Sequence, residues 1–176
     1  MARLAGIAGM TLLTLGGTKR DLLSAVLEAE AGDRTAGTTS ADPVGPRMSG
    51  GGSVHASGDQ VITHGFELHC DPDALPNSLD IAWEGKRFHL EAVSSSRCAD
   101  DPAIHPDGPG APFDTCSGAG SGLYNDEEEA TAEWTFTDAG ASGVEDRAVM
   151  TVRNAAGEIV LEVSGTLTYG NHEALE

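Results

Sequence analysis

Apolar and polar side chains along this chain change period near residue 54. Before it, Leu22, Leu23, Val26 and Leu27 recur at helical spacing behind Thr18-x-x-Asp21, which reads as a capping box. The spacing predicts a short helix that Gly32 ends. After it, the period is two. Ile62, His64, Phe66, Leu68 and Cys70 point one way, and Thr63, Glu67, His69 and Asp71 the other. Leu79, Ile81 and Trp83 alternate next. Glu84-Gly85-Lys86 reads as a hairpin turn, and Phe88, Leu90 and Ala92 return. Further alternating sets are Ala132, Trp134 and Phe136, then Ala148, Met150 and Val152, then Ile159, Leu161, Val163 and Leu167, with a turn over Asn154 to Gly157.

Six or seven short strands with turn signals between them predict an all-β domain, an antiparallel β-sandwich or jelly-roll-like fold. Two stretches stand apart. Residues 32–53 are rich in Gly, Ser, Thr and Pro and read as a flexible linker. Residues 99–122 carry Pro102, Pro106, Pro109, Pro112 and many glycines, and read as a long loop. The division is an N-terminal extension, residues 1–47, and a β-rich domain, residues 48–176.

Charge sharpens that division. Residues 1–47 hold five basic and five acidic side chains, and residues 48–176 hold 5 basic and 23 acidic ones, so the net charge of −18 belongs to the β-rich part. Such a surface repels phosphate backbones and anionic membranes, which excludes nucleic acid as the expected partner. It suits high salt, a divalent cation or a basic partner. No run is long and apolar enough for a membrane-spanning helix. Residues 1–17, MARLAGIAGMTLLTLGG, put one basic residue before a small apolar run, the outline of an export signal. Lys19, Arg20 and Asp21 follow it directly, and Ala29-Glu30-Ala31 is a late small-x-small site. Cys70, Cys98 and Cys116 form no C-x-x-C; one bridge and one thiol left over is the simplest count for an exported protein.

The order of motifs SGGGSV, HGFELHCD, PNSLDIAW, RFHLEAV, CADDPAI, FDTC, ATAEWTFTDAGASG, EDRAVMTV and VSGTLTYGNHEA resembles a family of small β-rich domains found in secreted and surface bacterial proteins. The resemblance covers roughly residues 48–174. It implies an extracellular or cell-surface location, a structural or adhesion-type role and no catalytic residues. It also implies that Cys70 and Cys98, in its H-C-D and C-x-D-x-P motifs, form the disulfide and that Cys116 is the odd thiol.

Candidate chemistry falls in three places. Asp138, Glu145 and Asp146 stand at the two ends of a glycine-rich turn and could offer carboxylates to calcium, which takes six to eight oxygens. His69 and His89, on neighbouring predicted strands, could hold zinc with a nearby acid and make the chain a small secreted metal-dependent hydrolase. H-E-x-x-H and G-x-S-x-G are both absent. Trp83, Trp134, Phe66, Phe88 and Phe136 sit on the apolar faces of their strands and read as core. Exposed, they would make a carbohydrate-binding platform. The expectation is a non-enzymatic module, requiring no cofactor beyond a possible calcium ion, that meets a protein or surface glycan partner.

Overall fold

Glycine disfavours the interior of most strands, yet it builds the first strand here. A computed structural model describes residues 45–56, 60–104, 111–126, 128–140, 143 and 145–176. Strand β1, Arg47–His55, is RMSGGGSVH. It lies between two antiparallel neighbours, β2 (Val61–His69) and β9 (Tyr169–Leu175). A Cβ on Gly50 would run into the Asn171 carbonyl, and one on Gly52 into the Tyr169 carbonyl. A Cβ on Gly51 would stand 2.7 Å from the His64 carbonyl. The backbones approach too closely for side chains, so the serine–glycine run that reads as linker is a strand from residue 47 onward. The expected helix after Thr18 and most of the expected linker lie outside the described residues.

The remaining strands are β3 (Ser78–Trp83), β4 (Lys86–Ala99), β5 (Thr115–Tyr124), β6 (Glu128–Thr137), β7 (Arg147–Asn154) and β8 (Ile159–Thr166). All nine strands among the described residues join one antiparallel sheet in the order β8-β7-β6-β5-β4-β3-β2-β1-β9. Every strand from β1 to β8 therefore pairs with its neighbour in sequence, and only β9 jumps, to pair with β1. The layout is a meander in a single sheet, where the sequence pattern predicts the two sheets of a sandwich or jelly roll. Alternation shows which side of a strand is buried but not what it is buried against; here it is buried within the curl of the same sheet.

Positive φ at two successive residues makes the hairpin turns fit the right-handed twist of the strands. Glu84 and Gly85 have φ of 46° and 75° between β3 and β4, and Asn125 and Asp126 have 54° and 68° between β5 and β6. The curl brings β8 round to β1. The Thr168 N–H donates to the Ser53 carbonyl at 2.8 Å, and a Cβ on Gly165 would be 3.8 Å from Val54 Cβ.

The concave side holds the core. One row across the sheet runs Trp134, Met150, Val163, all buried; the next row, Glu133, Thr151, Glu162, faces outward with both glutamates exposed. Burying each large apolar side chain contributes on the order of 1.5–3 kcal/mol. Strand β5, TCSGAGSGLY, takes up residues 115–122 of the expected loop and runs on to Tyr124. Its inward positions after Cys116 are Gly118, Gly120 and Gly122, so it lacks the large apolar residues that reveal a strand.

Two register shifts, between Leu90 and Ala92 and between Val93 and Ser95, bend the 14-residue β4. Its far arm passes beyond the end of β3 and returns to β2. There the Ser96 hydroxyl donates to the His69 carbonyl, and Cys70 and Cys98 form a disulfide with Cα atoms 5.1 Å apart across 28 residues of chain. Closing a loop of that size contributes about 3 kcal/mol in the chain-entropy account.

Replacing Gly52 by Ala should lower the unfolding free energy by about 1–3 kcal/mol, the usual range for an overpacked site. Gly65→Ala, where nothing lies within 4 Å of the added Cβ, should change it by less than about 1 kcal/mol. Urea unfolding of the two variants checks the contrast.

Candidate functional site

Strand β9 pairs with β1 on one side only, which leaves the outward-directed amides of its other side to be satisfied. Two aspartates do this. Asp146, fully buried just before β7, accepts the His172 N–H at 2.7 Å with one oxygen and the Ala139 N–H at 2.8 Å with the other. Asp138, buried just after β6, accepts the Ala174 N–H at 2.9 Å and the Gly140 N–H at 3.0 Å. The Asp146 carbonyl also takes the Leu167 N–H at 2.8 Å. Carboxylates thus stand in for a missing neighbouring strand and join β9 to the corner between β6 and β7. Hydrogen bonds to carboxylate are roughly twice as strong as neutral ones, so two side chains can replace part of a ladder.

Beneath this seam lie two imidazoles. His64 of β2 and His172 of β9 place their Nε2 atoms 2.8 Å apart, in the core. The Thr137 carbonyl lies 3.0 Å from His172 Nδ1 and can only accept, so that nitrogen carries the proton. A neutral His172 ring then has a lone pair on Nε2, and His64 Nε2–H donates to it. His64 Nδ1 is left as a buried lone pair with no partner. The His64 ring stacks on Phe136 at 5.2 Å, Phe136 on Phe66 at 4.1 Å, and His172 meets both phenyl rings edge-on.

Burial drives the His64 pKa down to about 3, and the neighbouring His172 adds to the shift. Burial also lowers His172, opposed by the Thr137 hydrogen bond and the charges of Asp146 and Asp138. Both rings are neutral in the folded chain at neutral pH. Their contribution to stability is complete above the ordinary histidine value of 6.5. It is lost as the pH falls below 6.5 toward the folded values, because the unfolded chain takes up protons that the folded one refuses.

The other expected site residues do not converge here. Glu145 is exposed beside the seam. His89 is exposed on the outer side and bonds Asp80 at 2.9 Å. His69 lies four residues further along β2 than Gly65, the register partner of Asp80, and is 1% exposed with neither ring nitrogen partnered. Among the described residues no group of three or more His, Cys, Asp or Glu is arranged to hold a metal ion. Trp83, Trp134, Phe66, Phe88 and Phe136 are all core, and the exposed aromatic is Tyr169, at 82%. Cys116 is a buried free thiol whose pKa burial raises to about 11, with the neighbouring Ser96 and Trp134 acting in the opposite direction. An open groove of about 490 Å³ on the outer side is lined by Glu91, Ser121, Glu129, Thr131 and Asn154.

No family model, curated protein or solved structure matches the chain. Chemically, the seam is an inward-facing set of satisfied acceptors and neutral imidazoles.

Asp146→Ala leaves the buried His172 amide and the half-buried Ala139 amide unpaired and should cost about 2–5 kcal/mol. Glu145→Ala, one residue away and exposed, should cost less than about 0.5 kcal/mol. A second comparison isolates the imidazoles. Between pH 6.5 and 4 the native chain should lose up to about 1.4 kcal/mol per pH unit for each histidine kept neutral. His64→Phe should lose less, as read from urea midpoints at each pH.

Proposed function

We propose that the protein is an exported, non-enzymatic β-module with a structural, cell-surface or adhesion-type role. One observation carries the reading: the titratable residues that the fold gathers, Asp138, Asp146, His64 and His172, are buried and engaged in closing the sheet. What remains for a partner is the acidic outer side, including the groove edged by Glu91 and Glu129. That surface favours a basic protein, or a surface glycan that presents hydrogen-bonding groups.

A Cys70–Cys98 disulfide is compatible with an extracellular location, and no helix among the described residues is long and apolar enough to cross a membrane. Calcium at the Asp138–Asp146 turn is not part of the proposal, because an ion there would displace four amide donors. Neither is a hydrolase built on His69 and His89, since one is buried and the other is paired outside with Asp80.

Fractionation of cells that produce the chain tests the reading. The protein should occur in the extracellular or envelope fraction, be labelled by antibody on intact cells and carry Cys70–Cys98 oxidised on peptide mapping. Chain confined to the cytosol with all three cysteines reduced would overturn it.

A further inference from the structure

We infer that the seam between β9 and the β6–β7 corner is an acid-opened latch: proton uptake parts this edge while the rest of the sheet stays paired. The argument starts from how the sheet is closed. Between β6 and β7 the strands meet through eight register pairs, from Ala130↔Asn154 to Thr137↔Arg147. Backbone ladders of that kind contain no titratable atom. Between β9 and the corner, by contrast, the contacts run through Asp146, Asp138 and His172, and His64 of β2 meets His172 beneath them.

The two imidazoles act in the same direction, beneath carboxylates whose charge strengthens the hydrogen bonds from the His172 and Ala174 amides. A proton on His64 enters at Nδ1, where no acceptor stands, and creates a buried cation against Phe66 and Phe136. A proton on His172 enters at Nε2, which then faces the Nε2–H of His64 head-on at 2.8 Å. Among the described residues, the elements packed against the pair add no other titratable group: β1 presents Gly50 and Met48 opposite His172 and Ala174, and β6 presents Phe136 and the Thr137 carbonyl. On the open side, Glu145 and Arg147 flank Asp146 and are exposed.

The β1–β9 ladder, seven register pairs from Arg47↔Leu175 to Ser53↔Tyr169, contains none of these contacts. Opening therefore moves β9 together with β1 away from the corner and uncovers the stacked Phe66 and Phe136. A surface module with this device would expose an apolar strip in acidic surroundings.

Amide hydrogen exchange on the full chain, at pH 7 and pH 4.5 and corrected for intrinsic rates, tests the latch. Protection at the His172 and Ala174 amides should fall at least tenfold at pH 4.5 while residues 130–136 and 148–154 keep theirs. Asp138→Asn/Asp146→Asn should show the same loss at pH 7. Unchanged protection at His172 and Ala174 in acid would overturn the proposal. So would an equal loss in the β6–β7 ladder, which would mean that acid unfolds the chain as a whole. A folded double variant that keeps full protection at pH 7 would overturn the role of the carboxylates.

Discussion

A sheet that curls on itself must do something with its two edges. An unpaired edge presents a row of amides and carbonyls that either find partners or invite another chain. In this protein the edges belong to β8 and β9, and they are not zipped by a continuous ladder. Two aspartates at the β6–β7 corner accept the amides of His172 and Ala174 instead, and the His64–His172 pair fills the space below them. The placement of β9, the closeness of β1 to its neighbours and the burial of the aromatic stack all follow from that closure.

The rest of the chain accommodates it. Because β1 is held between β2 and β9 at close range, three successive positions exclude a side chain. Gly170, opposite Gly52, has φ of 113° and its missing Cβ points at the Gly51 carbonyl, so the requirement is mutual. At the other end the bulged β4 carries Cys98 over the end of β3 to Cys70. The disulfide thus secures the part of the curl farthest along β2, where no β3 residue pairs with Leu68 or His69.

How much of this could be read in the sequence depends on side-chain size. β2, β3, β6, β7 and β8 alternate large apolar residues with polar ones, and their existence and inward faces were legible in Phe66, Ile81, Trp134, Met150 and Val163. β1 and β5 were not, because glycine gives no periodic signal even where the strand needs it. β9 was hidden because its inward residues are His172 and Ala174. The acids of the DAGASGVED turn stood out as a cluster with work to do. Their partners on β9 did not, since those amides lie 26 and 36 residues away, and no local spacing reports that. His64 and His172 are 108 residues apart, and only the return of β9 to β1 brings them together. A single curled sheet, as against two stacked ones, was equally out of reach, because both bury every second residue.

The central claim is that neutral imidazoles in fixed tautomers, framed by carboxylates, close the sheet. Long-range proton–nitrogen NMR of the histidine rings reads tautomer and charge directly. The account predicts that at pH 5 His64 is neutral with its proton on Nε2 and that His172 at pH 7 is neutral with its proton on Nδ1. Reversed tautomers at pH 7, or a charged His64 ring at pH 6, would contradict it.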